Sequence, residues 1–156
     1  MRCAENVSIF TFKMTIVIKE SLIMGTGINI GCKNCKYNSA FMLGTGEYYV
    51  LVENCLDALP EESAEEISVL LKKHTMEDFT FAYKLFQCDH CTLLFDHGDL
   101  EIQFENQDTY LNPIACPSCH EDMRQTDQDE KQIDELICPL CSEEGTLELT
   151  AKMDWD

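Results

Sequence analysis

Hydrophobic and polar residues follow two rhythms along this chain, a period of two over most of its length and a helical period in one stretch. Ile28 and Ile30 alternate into Cys32, and residues 41–43 and 48–52 are apolar or β-prone. Residues 26–50 therefore read as two strands flanking a tight Cys32–Cys35 turn. The glycines of Gly25-Thr26-Gly27 and Gly44-Thr45-Gly46 mark further turns. A phosphate-binding loop is the sharper reading of these glycines, but it needs a helix directly after them, and in the first case the cysteine turn follows instead. Residues 79–86 return to β character and lead into Cys88, and residues 92–95 leave Cys91. A turn is expected at Asp96-His97-Gly98-Asp99. Beyond it, Leu100, Ile102 and Phe104 alternate with Glu101, Gln103 and Glu105, as in a hairpin with one wet face. Leu147, Leu149, Ala151 and Met153 give a closing strand over residues 146–155.

The helical rhythm occupies the insert between these β segments. Ile67, Leu70, Leu71 and His74 share one face. Ser63 and Glu66 match the S-x-x-E capping box, which places a helix start at Ser63. Glu61, Glu62, Glu65 and Glu66 at the start and Lys72 and Lys73 at the end suit the helix dipole. Pro60 separates this helix from a shorter one over residues 51–59. Residues 120–135 are polar and strongly charged, and read as an exposed loop.

Residues 1–23 stand apart. They are apolar in places, but Lys13, Lys19 and Glu20 interrupt any long run, and no small-residue cleavage site follows. No stretch approaches a membrane span. Lys19-Glu20 is encodable as a bacterial ribosome-binding sequence upstream of the Met24 codon. Residues 1–23 are accordingly read as a doubtful leader with Met24 as an alternative start, against an N-terminal β-strand over the β-prone residues 9–18.

Cysteine changes the picture. The 156-residue chain holds ten cysteines, and eight fall in four C-x-x-C pairs: Cys32/Cys35, Cys88/Cys91, Cys116/Cys119 and Cys138/Cys141. A disulfide framework has no reason to repeat one short spacing four times. A metal knuckle does, because two intervening residues let the chain turn so that both thiolates point at one ion, and two knuckles complete a closed tetrahedral site. Four knuckles imply two zinc ions per chain, in a reducing cytoplasmic setting. Cys55 reads as a small buried apolar residue, and Cys3 has no partner pattern.

Four knuckles pair in three ways. Adjacent pairing is preferred. It joins Cys116/Cys119 to Cys138/Cys141 across eighteen residues, inside the spacing window of known zinc sites, and Cys32/Cys35 to Cys88/Cys91 across 52. The rival joins Cys88/Cys91 to Cys116/Cys119 and leaves the outermost knuckles to meet each other.

The strand–knuckle–strand pattern resembles zinc ribbons, and Cys116-Pro117-Ser118-Cys119 and Cys138-Pro139-Leu140-Cys141 look like their CPxC knuckles. Residues 28–97 are also similar to the bacterial CpXC-domain proteins, in which two knuckles flank a helix-containing insert. Cys32-Lys33-Asn34-Cys35 and Cys88-Asp89-His90-Cys91 lack that motif's proline. The resemblance implies a fold and zinc binding, and no activity. The expected protein is a small, metal-stabilised α+β chain. A zinc ribbon with a helical insert would span residues 24–112, and a second, smaller ribbon residues 113–156.

Other chemistries stand beside structural zinc. Redox catalysis needs a C-x-x-C at a helix N-terminus, and none of the four pairs precedes a convincing helix. Iron uses the same ligands in a rubredoxin-like site. Cys116-Pro117-Ser118-Cys119-His120 also fits the covalent haem pattern, or His120 simply follows a knuckle. His90, His97 and the Asp96–Asp99 segment are alternative metal donors, or surface and turn residues. No nucleophile–base constellation stands out, so no catalytic residues are assigned and the chain is not read as an enzyme.

Charge narrows the partners. The chain carries 29 acidic and 11 basic residues, a formal charge of -18. Eight thiolates outweigh two dications, so filling both sites makes it more negative. Direct nucleic-acid binding needs a basic footprint that is missing here. A basic protein partner fits better, in an interaction or regulatory role with no membrane association. The alternatives are a thiol redox or metal-handling protein, an acidic nucleic-acid mimic, or a transcription-associated zinc ribbon.

Overall fold

A computed structural model describes residues 24–126 and 130–155. The leader expectation and Cys3 lie outside the described residues. The fold is α+β, with two antiparallel sheets and a helical insert. Its elements are β1 (Gly25–Cys32), β2 (Asn38–Leu43), a 3-10 turn (Glu47–Val50), α1 (Val52–Leu56), α2 (Glu61–Lys73), β3 (Met76–Cys88), β4 (Leu94–Phe104), β5 (Thr109–Leu111), β6 (Met123–Gln125), α3 (Glu130–Ile133) and β7 (Leu147–Trp155). The strand orders are β2-β1-β7 and β5-β4-β3-β6. A backbone bridge between Gly44 and Tyr83 joins the two sheets.

Two apolar cores follow from this arrangement. The first lies between the sheets at their cysteine end and gathers Ile30, Phe41, Leu85, Leu94 and Leu147 among others. The second lies under the insert, where Ile67 and Cys55 meet Phe81, Leu100 and Ile102. Leu70 and Leu71 pack against it and the exposed His74 ring lies 5.7 Å from Phe104, so the predicted helix face is the one turned to the core.

Several local expectations are corrected. Helix α2 begins at Glu61 behind Pro60, whose carbonyl accepts the Ala64 N–H at 3.0 Å. Ser63 is buried inside the helix and makes no cap bond. Pro60, at the N-cap, offers no side-chain acceptor, so the helix starts without a capping side chain.

The segment Asp96–Asp99 is not a turn, because β4 runs straight through it. Its carboxylates have partners on other strands: Asp96 accepts the Met42 N–H of β2 at 2.7 Å, and Asp99 pairs with Lys84 of β3 at 2.5 Å. Gly98 is there for close approach, since a Cβ would lie 2.6 Å from the Phe81 ring.

The described part of residues 120–135 is not all exposed loop. It holds β6 and α3, and Ile133, with Leu136 just beyond, is buried in the first core. The closing strand keeps its predicted alternation only through Leu149. The register against β1 shifts between Asn29 and Ile30, which leaves Thr150 as the extra residue of a bulge. Leu147 and Leu149 therefore face the core, while Ala151 and Met153 are exposed.

Gly25 is the first residue of β1 rather than part of a turn. Gly25 and Gly46 both lie against the Trp155 ring, where a Cβ on either would sit 2.1 Å from a ring carbon.

Candidate metal centres

All four knuckles are closed by the same backbone scheme. The N–H of the first cysteine donates to the carbonyl five residues on: Cys32 to Tyr37, Cys88 to Leu93, Cys116 to Glu121 and Cys138 to Glu143, at 2.8–3.0 Å. One step outside each knuckle the chain pairs with itself, as Gly31 with Asn38, Gln87 with Leu94, Ala115 with Asp122 and Ile137 with Glu144. Each C-x-x-C is thus the tip of a hairpin.

In three knuckles the residue after the second cysteine is left-handed: Thr92 (φ 60), His120 (φ 63) and Ser142 (φ 60). Its N–H returns to the first cysteine's carbonyl at 2.9 Å. His120 therefore occupies the same structural position as Thr92 and Ser142, which accounts for the C-x-x-C-H pattern without haem.

The cysteines gather into two groups of four, Cys32, Cys35, Cys138 and Cys141, and Cys88, Cys91, Cys116 and Cys119. This nesting overturns the adjacent pairing. Both groups draw one knuckle from residues 24–112 and one from residues 113–156. The reason lies in strand pairing. The strand that leaves each late knuckle runs antiparallel to the strand that leads into an early one. For the outer group, β7 follows Cys141 and sets Leu147 opposite Cys32; for the inner group, β6 follows Cys119 and sets Met123 opposite Cys88.

Within each group the sulfurs lie within 4.8 Å of one another. Sulfurs of different knuckles approach closely: Cys35 to Cys138 at 3.5 Å, Cys32 to Cys141 at 3.7 Å, Cys88 to Cys119 at 3.4 Å and Cys91 to Cys116 at 3.5 Å. All eight cysteines are free thiols. A tetrahedral ion with bonds of about 2.3 Å to sulfur needs edges near ~3.8 Å, so each group matches a four-thiolate site. Two metal ions per chain can be held this way. The four sulfurs fill the tetrahedron and leave no coordination position for water or substrate.

The thiols are not equivalent. The Thr146 hydroxyl, 3.2 Å from the sulfur, lowers Cys32 to about 6, against burial and with the Asn34 amide helping. Burial pushes Cys116 up, but the Cys119 and Ser118 amides and the neighbouring thiols outweigh it and bring the group to about 6. Cys35 and Cys119 receive amides from Tyr37 and Glu121, yet burial and the adjoining thiols raise both to about 12. Cys32 therefore ionises more readily than Cys35, and Cys116 more readily than Cys119.

Other predicted donors lie elsewhere. Among the described residues, no histidine or carboxylate joins either group. His97 Nδ1 lies 2.7 Å from the Gly98 carbonyl, and His90 is exposed in its knuckle. Cys55 is fully buried and sits with the second core.

Sequence reasoning missed Gln87. Its side chain is 1 % exposed and reaches from the inner group to the outer. Nε2 donates to the Thr92 carbonyl at 3.1 Å and to the Ile137 carbonyl at 2.7 Å, while Oε1 accepts the Ile137 N–H at 3.1 Å. No local signal in the sequence marks it; it is a lone polar residue between Phe86 and Cys88.

Comparison of the chain with protein-family models, curated proteins and solved structures finds no match. Among the described residues, no helix is long and apolar enough to cross a membrane.

Proposed function

We propose that this chain binds two structural zinc ions and acts as a protein-interaction or regulatory module of the reducing cytoplasm. The observation that carries the reading is the pair of closed four-sulfur groups, whose sulfur separations suit tetrahedral zinc. The hairpin-tip knuckles support a zinc-ribbon character, and the resemblance of residues 28–97 to CpXC-domain proteins fits the helical insert. Thin sheets and two small cores gain much of their folding energy from the metal, since binding and folding are one equilibrium.

The interaction role rests on the insert. Tyr48, Val50, Leu51 and Val69 are about half exposed. In sequence they stand among Glu47, Glu53, Asp57, Glu61, Glu62, Glu65 and Glu66, with no lysine or arginine between Lys36 and Lys72. An acidic, partly apolar surface of this kind suits a basic segment of a partner protein and repels nucleic acid.

Native mass spectrometry of the purified chain, with and without chelator, tests the reading. Two zinc ions per chain, with loss of fold on chelation, are expected. One ion or none, or cysteines linked as disulfides, would overturn it in favour of thiol redox chemistry.

A further inference from the structure

We infer that the two metal sites load cooperatively, and that the buried Gln87 side chain is the residue that couples them. The inference rests on the reading that both cysteine groups hold zinc.

Gln87 stands directly before Cys88, a ligand of the inner site, and Ile137 stands directly before Cys138, a ligand of the outer site. The Gln87 amide satisfies both backbone polar groups of Ile137, as a paired strand residue would. Its Nε2 also donates to the carbonyl of Thr92, the left-handed residue that closes the Cys88 knuckle. A continuous path of hydrogen bonds thus runs from one knuckle of the inner site, through a single side chain, to one knuckle of the outer site.

Burial makes the path consequential. Gln87 is fully enclosed, so its amide has no water to turn to if either knuckle opens. Closing the Cys88 knuckle around an ion fixes the Thr92 carbonyl and, with it, the orientation of the Gln87 amide. A fixed amide presents its donor and acceptor to Ile137 in the geometry that the Cys138 knuckle needs. The effect is reciprocal, because an ion in the outer site fixes Ile137 and returns the same constraint to Gln87. Coupling free energies of this kind correspond to about 5–150-fold in affinity.

The full chain, stripped of metal, would be titrated with Zn²⁺ against a chromogenic chelator, with native mass spectrometry at each step. The native protein should pass from no ions to two with little one-ion species. Gln87→Met, which keeps the volume and removes the amide, should accumulate the one-ion species and still reach two ions. A one-ion population at the statistical level in the native protein would overturn the coupling while leaving the zinc reading intact. Binding of no ion would overturn both. Equal cooperativity in Gln87→Met would remove Gln87 from the role.

Should Gln87→Met not fold, hydrogen exchange in the Cys138→Ser/Cys141→Ser chain gives a second readout. Filling the inner site should slow exchange of the Ile137 amide, whose acceptor is Gln87 Oε1. An unchanged rate would overturn the proposal.

Discussion

Leu147 stands directly opposite Cys32 in the ladder between β7 and β1. That pairing lays the chain leaving the last knuckle beside the first, and the Lys33 N–H seals it by donating to the Thr146 carbonyl at 2.9 Å. The outer site is thus assembled by strand pairing between residues more than a hundred positions apart.

Disabling one late knuckle separates nested from adjacent pairing. Cys138→Ser/Cys141→Ser should retain one ion, held by Cys88, Cys91, Cys116 and Cys119. Cys32 and Cys35 should then react with iodoacetamide, while Cys116 and Cys119 stay protected. Adjacent pairing predicts the reverse, and peptide mapping after alkylation reads the difference directly. Cys138 is fully buried in the first core, so some loss of stability should accompany the change.

Gly46, which lies against Trp155, and Gly27, which does not, give a matched pair of substitutions. Gly46→Ala places a Cβ 2.1 Å from the ring and should cost about 1–3 kcal/mol, because the ring cannot move without disturbing its edge contacts with Tyr49 and Tyr83. Gly27→Ala meets nothing nearer than 3.5 Å and should stay within about 0.5 kcal/mol of the native protein. Urea unfolding followed by fluorescence suits the comparison, since Trp155 is the single tryptophan.

Cys55 should make the fold sensitive to alkali. Burial pushes its thiol up from 9.0 to about 12, and the sulfur lies 3.4 Å from the carbonyls of Tyr49 and Leu51, which favour the protonated form. A pKa raised on folding stabilises the native state below the unfolded value. That contribution is complete below about pH 9 and is lost as pH climbs toward about 12. Tyr110, raised to about 12 chiefly by burial, shifts in the same direction. The Cys55 share is therefore read as the difference in slope between the native protein and Cys55→Ala. Equal alkaline slopes in the two would refute it.

The knuckles were legible because everything that defines them lies within about seven residues. The amphipathic helix was legible for the same reason, and so was the clean alternation from Leu100 to Phe104. What escaped was set by distant partners. Eighteen residues between Cys119 and Cys138 satisfied a local spacing rule, yet that stretch carries β6 to Cys88 and Ile133 and Leu136 into the first core. Asp96–Asp99 had the composition of a turn, but Met42 and Lys84 supply partners that keep it extended. Ser63 matched a capping pattern, but the helix starts earlier, at Glu61 behind Pro60, and takes Ser63 into its first turn. Gln87 was invisible because a glutamine beside a cysteine has no local signature, and its meaning comes from Ile137, fifty positions away.

Nesting also imposes a timetable on biosynthesis. A growing chain presents Cys32/Cys35 and then Cys88/Cys91 as lone thiol pairs, each half of a tetrahedron, until its complement emerges. The inner set is complete once Cys119 has left the ribosome, while the outer set must wait for Cys141 and the strand behind it. Cys32 and Cys35 are therefore the earliest cysteines of the eight to appear and the last to find cover. Exposure of the newborn protein to oxidants should fall hardest on that pair.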